Sequence, residues 1–457
     1  MPLIIPANTL SADDYEISNS VRFNTADSPK LQRTTGSNGD RRQFTLSVWL
    51  KISQDASAGM TIFSWNDGGH RTVCKIDDSS EQISMYLSDS QTYELKTNQS
   101  FRDYSAWFHL CINMDTEQST ASDRVAIYIN GTKVTSLATA NYPAEDWDSP
   151  INSNTENTIG RDVNHDNKPY DGYMAELFWI DGNAYLPTKF GKFNDNGVWV
   201  PIDAKAGLTF GTHGYYMEFK QTGTGTNSSG IGADTSGNDN HYAVTGLSAT
   251  DITTDTPTNN FCTLNPLMNS SQASYSEGNL DEACNDNYGV GGSMAVANGK
   301  WYWEVKIKAG DNNLVGVANG DEVWRFPVTF GINNYSIAVY GVNGIIYKEG
   351  STVENVSDTY GANDIIGVRL DLDSGTRTVS FYKNNSAFGS AVTLPSWDIV
   401  VPMIRKGGSS QTSSFNFGNP SFSISSGNAD DNGYGNFEYD VPTGYYALCT
   451  KNLAEFG

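Results

Sequence analysis

Within Thr359–Asn385 the chain reads Ile365-Ile366-Gly367-Val368-Arg369-Leu370-Asp371-Leu372-Asp373-Ser374-Gly375-Thr376-Arg377-Thr378-Val379-Ser380-Phe381-Tyr382-Lys383, and this stretch decides the fold class. Ile366, Val368, Leu370 and Leu372 share one parity, while Gly367, Arg369 and Asp371 share the other. Period two is the mark of a strand with one face against a core. Asp373-Ser374-Gly375 supplies turn chemistry, because Asp folds its side chain onto the backbone and Gly accepts positive φ. The return strand carries Val379 and Phe381 inward, so the stretch predicts a β-hairpin.

Flanking segments widen that reading. Gly299-Lys300-Trp301-Tyr302-Trp303-Glu304-Val305 precedes the hairpin, and Val401-Pro402 and Asn416-Phe417-Gly418 follow it. With these flanks the region resembles the SPRY domain, which implies a bent β-sandwich that binds partners through its loops. In the first flank Trp301, Trp303, Val305 and Ile307 alternate with Tyr302, Glu304, Lys306 and Lys308. The paired tryptophans sit on the apolar parity, so they are read as core rather than as a sugar-stacking pair.

Composition agrees with this class. The chain has 457 residues, enough for two or three domains with real cores. Its 44 Gly, 24 Tyr, 20 Phe and 10 Trp, with only 18% charged residues, suit an all-β protein rich in tight turns. Asp and Glu number 52 against 29 Lys and Arg, a formal charge of −23 that repels phosphate backbones and argues against a nucleic-acid partner. Cys74, Cys111, Cys262, Cys284 and Cys449 are odd in number and form no Cys-x-x-Cys, so they are read as small buried hydrophobes. The opening Met1–Leu10 lacks the basic region and unbroken apolar run of a signal peptide, and no later run is long enough to span a bilayer. These features predict synthesis in the cytoplasm without membrane insertion.

A second series of strands lies upstream. Phe44, Leu46, Val48, Leu50 and Ile52 alternate, as do Ile83, Met85 and Leu87, then Phe108, Leu110, Ile112 and Met114, then Val125, Ile127 and Ile129. Ile129-Asn130-Gly131-Thr132 is a tight-turn signal. Trp107-Phe108-His109-Leu110, Val125–Gly131, Thr158-Ile159-Gly160 and Tyr170–Trp179 follow one another as in laminin-G-like, concanavalin A-like jelly rolls, a resemblance covering about residues 40–182. The expected architecture is therefore two antiparallel β-sandwich domains. Residues 1–20 form a docking segment or edge strand, 21–221 the laminin-G-like sandwich, 222–272 a polar Gly/Ser/Thr/Asn-rich connector, and 273–457 the SPRY-like sandwich.

Within the connector, Gly232–His241 and Asp255–Pro266 resemble a segment that follows a laminin-G-like domain in virion-associated proteins of marine bacteriophages. Those proteins also open with a segment like Pro2–Leu10. Asp255-x-Pro257-Thr258 leading to Cys262-Thr263-Leu264-Asn265 is echoed by Asp440-x-Pro442-Thr443 leading to Cys449-Thr450-Lys451-Asn452, so each copy is expected to pin the end of one domain.

Catalytic motifs do not emerge. The chain has no phosphate-binding Gly-rich loop, no Gly-x-Ser-x-Gly elbow and no His-Glu-x-x-His. Nor does any strand carry the alternating acids with which some concanavalin-like folds cleave polysaccharide; Glu438-Tyr439-Asp440 stops at two. Binding loops are easier to find. Trp65, Asp67 and His70, then Asp162, His165, Asp166 and Tyr170, combine acids and aromatics suited to sugar hydroxyls and C–H faces. Asp162, Asp166 and Asp171 offer hard oxygens for Ca²⁺, as the laminin-G resemblance implies, although their spacing matches no fixed calcium loop. Solvated turn residues are the alternative account of both sets. In the SPRY-like half the equivalent candidates are Asp311, Asn312 and Asn343.

The resemblances together imply a non-enzymatic virion structural protein, a tail fibre or other appendage. Leu3, Ile4, Ile5 and Pro6 would join it to other virion proteins, and sandwich loops would contact host-surface glycan or protein. Fibre-like assembly implies a homo-oligomer, a trimer among the options, although no heptad repeat enforces one. The alternatives are a polysaccharide depolymerase and a cellular lectin or adhesin.

Overall fold

In the computed structural model, residues 15–53, 59–67, 70–88, 92–162, 168–268, 273–284, 289–325, 335–407 and 411–457 are described. They fall into two compact units, 15–258 and 259–457, both built almost wholly of antiparallel strands. Among the described residues no helix is long and apolar enough to cross a membrane.

The first unit holds two eight-stranded sheets. One runs Thr132–Lys133, Val125–Ile129, Phe108–Asp115, Gln43–Ile52, Gly172–Asp181, Ser20–Phe23, Ile252–Thr253, with Tyr215–Met217 added beside Gly172–Asp181. The other runs Leu137–Asn141, Thr92–Ser100, Gln82–Ser88, His70–Ile76, Met60–Asp67, Glu156–Ile159, Lys30–Thr34, Ala243–Thr245. Phe44, Leu46, Val48, Leu50 and Ile52 all point into a core shared with Ile62, Cys74, Met85 and Leu95, as their alternation predicts. The opposite parity is buried too: Thr45, Ser47, Lys51 and His109 are all sequestered. The reason is a strap of chain beyond Asp181. It lays Phe190, Ala204, Phe210 and Tyr216 over Cys111, Tyr128, Phe178 and Ile180. Tyr216 stacks on Phe178 with ring centroids 4.1 Å apart. Burying side chains of this size is worth roughly 1.5–3 kcal/mol each, enough to make the strap part of the fold.

The hairpin at Ile129–Thr132 forms as read. Asn130 and Gly131 both take positive φ, at 46° and 74°, the pattern of a type I′ turn. A Cβ on Gly131 would run into the Trp199 ring.

The stretch 222–272 does not stand apart as a connector. Residues up to 258 belong to the first unit and those from 259 to the second. Its polar composition serves hydrogen bonding rather than flexibility. Asp234 accepts from the backbone N–H groups of Tyr216, Ser236 and Asn240 at 2.7–2.9 Å. Asn238 and Asn240 donate to the carbonyls of Gly211 and Gly214. Ile231 and Tyr242 enter the core, and Ala243–Thr245 pairs with Lys30–Thr34.

The second unit has a nine-stranded and a six-stranded sheet. The larger runs Ala273–Ser276, Asp281–Cys284, Gln411–Asn416, Lys300–Ala309, Ile365–Asp371, Thr378–Lys383, Ser386–Ala387, with Val392–Thr393 and Tyr446–Ala447 at its flanks. The smaller runs Gly289–Gly291, Val400–Lys406, Asn313–Asn319, Ser336–Tyr340, Ile345–Lys348, Ser351–Asn355. The deciding hairpin pairs Leu370 with Val379 and Val368 with Phe381, and all four are buried in the core with Trp301 and Trp303.

Its turn differs in detail from the expectation. Asp371, not Asp373, folds back, accepting from the N–H groups of Asp373 and Ser374 at 3.1 and 2.9 Å. Asp373 instead accepts from Gly299 N–H at 2.7 Å. Gly375 is not among the positive-φ glycines.

The repeated Asp-x-Pro-Thr…Cys-Thr segments close their domains only in part: Asp255 and Thr258 pin the end of the first unit to Lys51 and Ile17, but the Cys-Thr part of that copy belongs to the second. Their Cys-Thr ends meet inside the second unit, where Phe261 bridges Cys449 and Cys262 N–H donates to Leu448 O at 2.9 Å. Thr450 N–H donates to Asn260 O at 2.9 Å, so the first and last segments of this unit clasp each other. Cys74, Cys111, Cys262 and Cys449 are buried free thiols, as read; burial pushes Cys449 up to about 12. The side chain of Cys284 lies outside the described residues.

Candidate binding surfaces

The sugar-stacking role expected of Trp65 fails because its ring is core. A register shift between Thr61 and Phe63 puts Trp65 on the inward parity. There it is 1% exposed and lies 5.6 Å from the Trp179 ring. Tyr170 is fully buried as well, edge-on to Phe23 at 5.9 Å, with its hydroxyl donating to Lys51 O at 3.2 Å. His70 is half-buried and opposes Asp67 across the end of a hairpin. His165, Asp166 and the side chain of Asp67 lie outside the described residues.

The proposed calcium ligands are engaged elsewhere. Asp162 is buried and pairs with Arg71 Nε at 2.7 Å. Asp171 is also buried, accepting from Thr25 N–H at 3.0 Å and from the Ser53 hydroxyl. Burial pushes its carboxyl above the usual range despite those donors. Among the described residues no group of three or more His, Cys, Asp and Glu is placed to hold a metal ion.

In the second unit the candidate loops do gather. Asp311 is exposed and Asn312 half-buried, with the Asn312 amide donating to Gly407 O and accepting from Tyr340 Oη. Tyr360 donates to Asn313 O and Val339 O at 2.8 and 2.9 Å, tying 358–361 to the same end. Gly341 approaches the carbonyls of Asp311 and Tyr360 so closely that a Cβ would collide with them. Asn343 caps its own turn, accepting from Ile345 N–H at 3.1 Å.

The reading missed Glu176. On the strand Gly172–Asp181 a bulge between Ala175 and Phe178 throws this residue onto the outer face with φ at 44°. A left-handed conformation for a non-glycine residue is strained by about 1–2 kcal/mol and persists only where its surroundings enforce it. Here two phenols do so: Tyr15 and Tyr216 donate to Glu176 Oε1 at 2.5 and 2.6 Å. Burial pushes the carboxyl up to about 7, opposed by the two phenol donors and reinforced by Glu218 and Asp203. On the same sheet face His109 is neutral. It accepts from Trp199 Nε1 at 3.1 Å, its other nitrogen faces Ser47 Oγ at 2.8 Å, and burial lowers it to about 3. The sequence signal for Glu176 was a lone acid inside the apolar run Tyr173–Ile180.

A family model described as the concanavalin A-like lectin/glucanases superfamily matches residues 24–182, and one described as the SPRY domain matches residues 300–420. The chain carries a concanavalin A-like domain followed by a SPRY domain. Both domain classes suggest binding roles, and the superfamily of the first includes lectins and glucanases. Among solved structures, the SPRY domain of human HERC1 is similar at 18% identity over 33% of this chain and 96% of its own, with TM-score 0.26. A heptameric SAP-like pentraxin from Limulus polyphemus is similar at 16% identity over 37% of this chain and 79% of its own, with TM-score 0.28. Domain 4 of AbnA, a GH43 extracellular arabinanase from Geobacillus stearothermophilus in complex with arabinotriose, is similar at 19% identity over 34% and 68%, with TM-score 0.27. No curated protein matches the sequence.

Proposed function

We propose that the protein is a virion structural component, a tail fibre or other appendage of a marine bacteriophage, that binds host-surface glycan or protein through its two β-sandwiches. The observation that carries this reading is the succession of two binding-type domains on one chain, with no catalytic motif in its sequence. The sequence resemblance of Pro2–Leu10 and of Gly232–His241 to virion-associated proteins supplies the setting. Leu3–Pro6, assigned to docking on other virion proteins, lies outside the described residues. In this reading the protein acts as a homo-oligomer and carries no enzymatic step. Immunogold labelling of intact particles, with antibody raised against residues 273–457, tests it. Label clustered on tail or capsid appendages is the expected result; bare particles with the protein left in the soluble lysate overturn it.

A further inference from the structure

The outer face of the SPRY domain's larger sheet is only partly covered. Phe437 packs on Tyr302 with ring centroids 5.1 Å apart, and the N–H groups of Glu438 and Tyr439 donate to the buried Glu304 carboxylate at 3.0 and 2.9 Å. On the outward parity of the neighbouring strand Ile365–Asp371 only Arg369 escapes burial, while Thr378–Lys383 leaves Thr378, Ser380 and Tyr382 half-buried on that side. Arg369 stands opposite both Tyr302 and Ser380, and Gly367 opposite Tyr382. The Arg369 guanidinium carbon lies over the Tyr382 ring, 3.5 Å from its centroid.

What singles out Arg369 is that its guanidinium has neither a carboxylate nor another oxygen partner among the described residues. Arg22, Arg42, Arg71, Arg102 and Arg124 all pair with carboxylates. Arg33, Arg41, Arg161 and Arg377 donate to side-chain or backbone oxygens. Among the described residues Arg369 makes no hydrogen bond or ion pair, and its Nε is buried without a partner. In a chain with 52 acids and 29 Lys and Arg, a cation left open on a rigid strand is a conspicuous exception. With Nε buried, the two terminal Nη groups are the donors left to a ligand, and such a pair can grip a carboxylate or sulfate with two parallel hydrogen bonds.

Around it stand the other groups that sugars use. Tyr445 lies within electrostatic reach of Arg369, Lys300 and Tyr382, with Lys300 Nζ 5.8 Å from its ring centroid. Tyr382, Tyr445 and Ser380, each with a hydroxyl, are half-buried there. Rings for C–H faces, hydroxyls and one guanidinium form a set matched to an acidic sugar. Lys300 is itself paired with Asp371 at 2.9 Å, so the site offers one uncompensated cation. One positive charge suits a single anionic residue within a largely neutral heteropolysaccharide and not a phosphodiester backbone, which needs a row of cations.

We infer that this open face of the SPRY domain, centred on Arg369, Tyr382 and Tyr445, binds a sugar residue bearing a carboxylate or a sulfate. The inference rests on the glycan-binding part of the proposed function and names the glycan's chemistry and where it is held.

Saturation-transfer NMR and titration on the full chain test it, using trigalacturonate, galactose 6-sulfate, neutral galactotriose and an acetylated Glu-Glu dipeptide as probes. At least one sugar acid is expected to bind, galactotriose and the dipeptide are not, and the preference between the first two identifies the anion. Arg369→Gln should weaken that binding at least tenfold with an unchanged unfolding midpoint, because the side chain is half-exposed and unpaired. Arg369→Lys, which keeps the charge and loses the planar fork, should recover only part of it. Raising salt from 0.05 to about 0.5 M should weaken binding several-fold. Equal binding by Arg369→Gln, binding of the dipeptide alone, or no sugar-acid binding by the wild type overturns the inference. Gold label on virion appendages alongside such a failure would leave the virion reading standing; Arg369-dependent sugar binding with bare particles would do the reverse.

Discussion

Each domain lays a length of chain across the outer face of its main sheet, but the two coverings differ in extent. In the concanavalin A-like domain the strap through Phe190, Trp199, Phe210 and Tyr216, with Tyr15 and Ile17 beside it, buries both parities of Gln43–Ile52 and closes over Glu176. In the SPRY domain the final segment covers Tyr302 and Glu304 and, with Tyr445 beside them, leaves Arg369 and Tyr382 half-buried. Both faces shelter an acid that burial drives toward its neutral form, Glu176 and Glu304, but only the second also displays an arginine beside the covering. Closure converts polar residues on a sheet into structure; incomplete closure leaves them for a ligand.

Both domains also sequester one fully buried ion pair. Lys51 meets Asp255 at 2.8 Å in the first, and Lys406 meets Glu282 at 2.6 Å in the second. Each has further support: Trp107 Nε1 donates to Asp255 at 3.0 Å, and Lys406 also donates to Ser413 Oγ at 2.8 Å. Removing one partner strands the other's charge, so Lys51→Met and Lys406→Met should each destabilise by about 3–5 kcal/mol. Denaturant titration measures both losses. A much smaller loss at Lys406 would mean that the more open domain admits water to its pair.

The closed acid gives the next largest effect. Glu176 titrates near 7 in the folded protein against an ordinary value of 4.5. The folded state then binds more protons than the unfolded one between those values, so the contribution of Glu176 to stability is full below about pH 4.5 and is lost as pH rises through 7. The difference amounts to roughly 3 kcal/mol. Thermal unfolding at pH 5 and pH 8 should show this decline in the wild type, and Glu176→Gln should remove that component.

The two hairpin turns sharpen the comparison further. Gly131→Ala meets both a positive φ of 74° and the Trp199 ring of the strap, and should destabilise by about 1–3 kcal/mol. Gly375→Ala meets nothing within 4 Å, so its unfolding midpoint should stay the same or rise slightly. The smallest effect belongs to the exposed pair of Lys383 and Asp358, 3.2 Å apart, where Asp358→Asn should change stability by no more than about 0.5 kcal/mol in denaturant titration.

The central hairpin and the strand parities were legible because alternation reports directly on which side chains enter a core. Val368, Leu370, Val379 and Phe381 lie where their spacing places them. Trp65 misled because it was read as a loop residue, whereas the strand Met60–Asp67 runs through it and a bulge turns its ring inward. Residues 222–258 misled for a different reason. Gly, Ser, Thr and Asn compose flexible linkers and Asp-centred hydrogen-bond networks alike, and only the partners of Asp234 distinguish the two. Alternation put Arg369 on the outward parity, while Glu176 reached the outer face only through the bulge between Ala175 and Phe178. Whether each ended up closed or open depended on segments dozens of residues away, which no local pattern encodes.

The contrast between the covered and the open face is tested most directly by timed phenylglyoxal modification of the full chain, with arginine adducts mapped by mass spectrometry. Arg369 should react well ahead of the buried Arg22 and Arg124, and trigalacturonate or galactose 6-sulfate should slow it. An Arg369 as unreactive as Arg22 would mean that its face is closed after all, and would contradict the account.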